Sequence, residues 1–156
     1  METTEFTKIG VRSVDHVAIA VPLGTLDQHI VLYEKMGFTL VHREEVYGGD
    51  QVREALLRVG ESENLIQLLE PLNEDSPVAK QIERQGGRGG LAHVAFRVED
   101  AQSAHAGLKA EGYNLIDPAP RPGSRGTTVF FMHPKSHAEG SLGVLYEFVE
   151  VPNSEA

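Results

Sequence analysis

The chain has 156 residues, of which 40% are hydrophobic and 24% charged, with a formal net charge of -9 and no cysteine. This length suits one compact unit or two small modules that share a core. The acidity argues against nonspecific nucleic-acid binding, which needs a clustered basic surface; the lack of cysteine excludes disulfides, thiolate nucleophiles and thiolate-held zinc or iron–sulfur clusters, leaving nitrogen and oxygen as metal donors.

Residues 1–13 contain no continuous apolar stretch of the kind a secretory signal requires, and no later run approaches the roughly 18 apolar residues of a membrane span. A cytoplasmic protein with no membrane partner is expected, with 1–13 as an N-terminal extension. Apolar periodicity then predicts a strand over 14–21 and a helix over 25–36. Gly37 leads into strands over 39–44, 53–59 and 65–69. Residues 71–76 and 86–90 flank a linker helix over 77–85 that ends at glycines. Next come a strand over 91–98, a helix over 101–111, Gly112, and strands over 113–116, 127–132 and 144–151. Residues 152–156 read as a tail.

The two halves are versions of one phrase. His16-Val-Ala-Ile-Ala-Val opens the first and His93-Val-Ala-Phe-Arg-Val the second, and Gly37 and Gly112 follow the helices at nearly the same offset. Each half reads as βαβββ, giving modules of about 14–70 and 91–151 within a single domain, 14–151. The expected fold is α+β: the two modules pair into a curved eight-stranded mixed sheet around a metal-containing cleft. Because strands alternate their side chains, His16 and His93 are expected to enter the cleft with one residue from the last strand of each half. These are Gln67 and Glu147, polar residues in apolar strands. Two imidazoles, an amide oxygen and a carboxylate suit a divalent ion of octahedral preference, with two positions left for water or substrate. Each residue alone has a simpler explanation, as a core histidine or a solvent-facing polar side chain. Their repeat-related placement favours the metal.

Six segments point further: Asp15-His-Val-Ala, His42-Arg-Glu-Glu, Leu69-Glu-Pro-Leu-Asn-Glu-Asp-Ser-Pro-Val-Ala-Lys, Gly90-Leu-Ala-His-Val-Ala-Phe, Phe131-Met-His-Pro-Lys-Ser and Gly143-Val-Leu-Tyr-Glu. Together they make the stretch from Val14 to Val151 resemble the vicinal oxygen chelate (glyoxalase/bleomycin resistance/dioxygenase) superfamily and, within it, the methylmalonyl-CoA epimerases. The loop 46–50 is about one residue longer than the family pattern, and 136–142 carries extra residues before the last strand.

The resemblance implies an isomerase that epimerises methylmalonyl-CoA, or a close malonyl-CoA derivative, between 2R and 2S. His16, Gln67, His93 and Glu147 correspond to the metal ligands, and Glu54 aligns with the catalytic carboxylate. A divalent metal, with cobalt foremost and manganese, nickel, zinc or magnesium as alternatives, would hold the acyl unit planar and stabilise an enolate oxygen. Glu54 and Glu147 would then exchange protons with the two faces of the carbon. His133, Lys135 and Arg125 are candidates for substrate binding. The implied partners are an acyl-CoA thioester and a second copy of the chain in a homodimer. His29, His42, His105 and His137 are expected to be surface or structural residues, and Gly123-Ser-Arg-Gly126, which precedes a strand, is expected to be a pocket edge and not a phosphate loop. Two rival readings are another metal-dependent enzyme of the superfamily (lyase, isomerase or dioxygenase) and a non-catalytic small-molecule-binding or resistance protein.

Overall fold

The computed structural model describes residues 9–152; the expected N-terminal extension and C-terminal tail fall largely outside them. The chain divides into two compact units, one made of His16–Ala92 and the other of Met1–Asp15 together with His93–Ala156. The division falls inside the first strand, β1 (Val11–Ala20), which gives its first five residues to one unit and its last five to the other.

In the unit His16–Ala92, β1 is followed by α1 (Leu26–Lys35), β2 (Thr39–Val46), β3 (Val52–Arg58), β4 (Leu65–Pro71) and α2 (Pro77–Arg84). Strands run β2-β3-β4-β1, with β1 parallel to β4 and the other pairs antiparallel. Side-chain alternation produces two unlike faces. Leu26 and Ile30 of α1 pack with Val21, Ala55, Leu57 and Leu68 on one face. Val78 and Ile82 of α2 pack with Ala18, Ala20, Val52, Leu69 and Ala92 on the other.

Both helix starts are fixed by side chains. Ser76, fully buried, caps α2 by accepting a hydrogen bond from Val78 N, and Pro77 opens the helix. Thr25 makes no such bond to α1. Instead Glu70 of β4, itself held by Arg53 at 2.7 Å, accepts from Leu26 N at 2.7 Å, placing a carboxylate at the positive end of the helix. At the exit from α2, Gly89 (φ +86) lies so close to Ala20 that a Cβ there would stand 2.2 Å from the Ala20 carbonyl oxygen.

The other unit contains residues Val11–Asp15 of β1, then β5 (Gly90–Val98) from His93 onward, α3 (Ala101–Ala110), β6 (Tyr113–Leu115), β7 (Arg121–Pro122), β8 (Thr128–His137) and β9 (Tyr146–Glu150). Here β5 is parallel to β9, and β8 is antiparallel to β9, β6 and β7. Ala101, Ala104 and Leu108 of α3 pack with Val98, Phe130, Met132 and Phe148. Phe130 and Phe148 stack at 5.0 Å, and the His105 ring meets Phe130 edge-on at 4.9 Å while its Nε2 lies 2.8 Å from the Asp117 carbonyl oxygen. Ala95, Val129 and Val149 form the apolar cluster of the opposite face.

The α+β class and the mixed pairing are as the sequence led us to expect. Three details differ. A two-residue strand, β7, lies between β6 and β8 where none was expected, giving nine strands among the described residues instead of eight. β1 begins at Val11, not residue 14, because residues before the histidine phrase also pair. β8 continues to His137, past Pro134 and through Ser136, whose φ of 41° is tolerated because its buried hydroxyl bonds to the carbonyls of His133 and Pro134.

Candidate active site

The two units build the same local pattern. In the first, Ala18 of β1 is the register partner of Gln67 in β4, and His16 stands two residues ahead of Ala18. In the second, Ala95 of β5 is the partner of Glu147 in β9, and His93 stands two residues ahead of Ala95. Period-two alternation therefore puts His16 on the face of Gln67 and His93 on the face of Glu147. All four are buried. His93 Nε2 lies 3.1 Å from Glu147 Oε1, and its ring sits edge-on to Phe131 at 5.2 Å.

The repeat breaks at the next strand. Leu56 of β3 is opposite Gln67 and Glu54 is opposite Leu69; in the other unit Phe131 of β8 is opposite Glu147 and Val129 is opposite Val149. Glu54 thus occupies the position that Val129 fills in the second unit. Glu54 is only 3% exposed, and its Oε1 accepts a hydrogen bond from Gln67 Nε2 at 2.8 Å. That bond fixes the amide. A carboxylate oxygen takes the NH2 side, so the Gln67 oxygen is turned away, and it is a buried oxygen with no hydrogen-bond partner among the described residues. An orphaned buried amide oxygen is costly unless something electropositive meets it, which is the fit a cation would satisfy.

A β-bulge sets the outer edge of this face. The β2–β3 register shifts between Leu40 and His42, so Leu40 packs on the α1 side while His42 faces Leu56 and Glu44 faces Glu54. His42 Nε2 is 2.9 Å from Glu44 Oε1. Metal-capable atoms of His42, Glu44 and Glu54 all lie within 4.8 Å of one another. Sequence reasoning set His42 aside as surface or structural; the bulge that turns it inward leaves no trace in hydrophobic periodicity.

Asp15, fully buried, accepts from Arg97 Nη2 at 2.8 Å and Arg125 Nη2 at 2.9 Å. Arg125, with a left-handed φ of 58°, belongs to the turn Ser124–Gly126. Its guanidinium is directed to Asp15. His133 and Lys135 are exposed, with His133 Nδ1 accepting from Lys135 N at 3.0 Å in a local loop bond. His29 and His137 likewise bond to main-chain oxygens, of Thr25 and Glu111.

Residues 15–131 match the family model described as "Glyoxalase/Bleomycin resistance protein/Dioxygenase superfamily". The mitochondrial methylmalonyl-CoA epimerase of Dictyostelium discoideum is 34% identical over 92% of this chain and 81% of its own length. The crystal structure of methylmalonyl-CoA epimerase from Mycobacterium tuberculosis superposes with a TM-score of 0.82 at 37% identity, covering 93% of this chain and 91% of that one. A methylmalonyl-CoA epimerase solved with methylmalonyl-CoA and NH4+ gives a TM-score of 0.80 at 32% identity, over 92% and 97% of the two chains. The chain belongs to the glyoxalase/bleomycin resistance/dioxygenase superfamily and, within it, to the methylmalonyl-CoA epimerase family.

Proposed function

We propose that this protein is a metal-dependent isomerase that interconverts the 2R and 2S forms of methylmalonyl-CoA, or a close malonyl-CoA derivative, through an enolate. The observation that carries the reading is the buried Gln67–Glu54 bond, which leaves an amide oxygen bare beside a buried carboxylate on one sheet face. A structural Gln–Glu pair in an apolar core would satisfy both oxygens of the pair's polar groups; this one is built as a donor site next to a base.

We assign His16, Gln67, His93 and Glu147 as the ligands of one divalent cation. The support is the repeated strand pattern, which supplies one histidine and one oxygen donor from each half. When bound, the cation supplies Lewis-acid stabilisation of the charge that develops on the thioester oxygen. Cobalt is the metal we propose, on family likeness, ahead of manganese, nickel, zinc and magnesium.

Glu54 takes the C2 proton. The C–H electron pair moves toward the thioester carbonyl, and one carboxylate oxygen is held in place by Gln67 while the other is assigned to the proton. Glu147 returns a proton to the opposite face of the planar carbon. The second half has Val129 where the first has Glu54, and Glu147 is our choice of acid there. Arg125, Lys135 and His133 remain candidates for contacts to the anionic acyl-CoA. No helix among the described residues is long and apolar enough to cross a membrane; a cytoplasmic homodimer is the assembly we propose.

The test is purified protein with one methylmalonyl-CoA epimer in deuterated water, following stereochemistry, C2 exchange and bound metal. The wild type is expected to epimerise and exchange. Glu54→Gln should keep its metal and lose exchange by at least about 100-fold, the usual worth of a positioned base. Wild-type exchange in that variant would remove Glu54 from the reaction, and His93→Ala with full metal content would remove the ligand set.

A further inference from the structure

The second half carries a strand with no counterpart in the first, the two-residue β7, and its first residue is Arg121. Arg121 is the register partner of Val129 on β8, so Phe131, two residues further along β8, is its diagonal neighbour on the same face of the sheet. The guanidinium carbon lies over the Phe131 ring, 5.5 Å from its centroid and within reach of a cation–π contact. Phe131 in turn stands opposite Glu147, and its ring meets the His93 imidazole edge-on at 5.2 Å, with 87° between the planes. In the first half the residue opposite Gln67 is Leu56, which has no ring.

Asp117 ties this arrangement down. Its Oδ1 accepts from Arg121 Nε at 2.9 Å and its Oδ2 from Phe131 N at 2.8 Å, so one carboxylate sets both the guanidinium and the residue whose ring it covers. Ile116 N donates to the Phe131 carbonyl at 2.8 Å, and the Asp117 carbonyl oxygen lies 2.8 Å from His105 Nε2 on α3. The side chains of Arg121 and Asp117 are 34% and 14% exposed. A pair that meets water to this degree adds little to stability, but it holds a cation at a defined place on an aromatic ring.

We infer that Arg121 is a positioning residue for His93, acting through the Phe131 ring. The inference rests on the assignment of His93 as a metal ligand made above. The last torsion of a histidine side chain is broad, whereas a metal ligand works at one ring orientation, which its neighbours must fix. The perpendicular contact with Phe131 sets the imidazole plane. Arg121 holds the Phe131 ring by attraction to its π-system, and Asp117 keeps Arg121 in place. No bond is made or broken along this row; its effect is to order the imidazole before a cation arrives, which lowers the entropy lost on binding.

The experiment titrates chelator-stripped wild type, Arg121→Gln, Arg121→Lys, Phe131→Leu and the double variant Arg121→Gln/Phe131→Leu with Co2+. Affinity is read from the visible absorption of bound cobalt in competition with a chelator. Arg121→Gln and Phe131→Leu are each expected to weaken Co2+ binding about tenfold, while Arg121→Lys, which keeps a cation for the ring, stays within about threefold of wild type. The double variant should bind no more weakly than Phe131→Leu alone, because without the ring Arg121 has nothing to act through. Wild-type Co2+ affinity in Arg121→Gln overturns the inference, and so do losses that add in the double variant or a lysine variant as weak as the glutamine one. If Phe131→Leu does not fold, the comparison of glutamine and lysine at the partly exposed position 121 decides alone. Failure of the ligand assignment looks different: the wild type would then take up no stoichiometric Co2+, or His93→Ala would bind it as tightly as wild type.

Discussion

Replacing Asp15 by alanine tests how the second unit is held together. Asp15 has no exposed surface and accepts bonds from two guanidiniums, at 2.8 and 3.3 Å from Arg97 and 2.9 Å from Arg125. Removing one partner of a buried ion pair costs about 3–5 kcal/mol, because the charge left behind is poorly solvated. Here the arginine side chains are 32% and 20% exposed and regain part of their hydration, which places Asp15→Ala near the lower end, about 3 kcal/mol. For a domain of this size each kcal/mol moves the midpoint by about 2–4 °C, so Tm should fall by about 6–12 °C. Thermal and urea unfolding measure it, and a double-mutant cycle with Arg97→Ala should show coupling of about 1–2 kcal/mol. Arg125→Gly should be milder than Arg125→Ala by about 1 kcal/mol, since glycine relieves the left-handed backbone at φ 58°. A Tm loss under about 2 °C for Asp15→Ala, with an additive cycle, would refute the argument that this carboxylate clamps the unit.

Two further outcomes follow from local geometry. Gly89→Ala should cost about 3 kcal/mol or more in urea unfolding, because its Cβ would collide with the Ala20 carbonyl; Gly24→Ala, at a similar φ but with nothing within 4 Å, should cost only about 1 kcal/mol. Equal losses would mean that the close approach to Ala20 is unimportant. Glu45 accepts hydrogen bonds from Tyr47 and Arg53, which hold its pKa below the ordinary 4.5. A depressed folded pKa lends stability that is present above the unfolded value and disappears as pH falls from 4.5 through the folded midpoint. In an NMR titration, Tyr47→Phe should raise the Glu45 midpoint toward 4.5; an unchanged midpoint would discount the tyrosine.

The doubled architecture was legible because each half carries its histidine on the same apolar phrase, and because Gln67 and Glu147 interrupt otherwise apolar strands. Their register with Ala18 and Ala95 gives that pattern its structural meaning. What escaped reading depends on contacts that periodicity does not encode. β7 is two residues long and includes Pro122, so it has no pattern to detect. The bulge before His42 reverses a face by one extra residue in an otherwise regular strand. Arg97 and Arg125 reach Asp15 from 82 and 110 positions away, and nothing near any of the three forecasts that meeting.

The break inside β1 has a consequence for anyone who would divide the gene. A product cut between the repeats, in the glycine-rich turn after α2, would leave the C-terminal portion without the segment whose Gly10 carbonyl receives Glu99 N and whose Asp15 gathers Arg97 and Arg125. That segment would stay attached to the wrong fragment. A C-terminal fragment meant to keep that unit whole must therefore carry the residues ahead of His16 as well, which a single cut in this turn cannot give it.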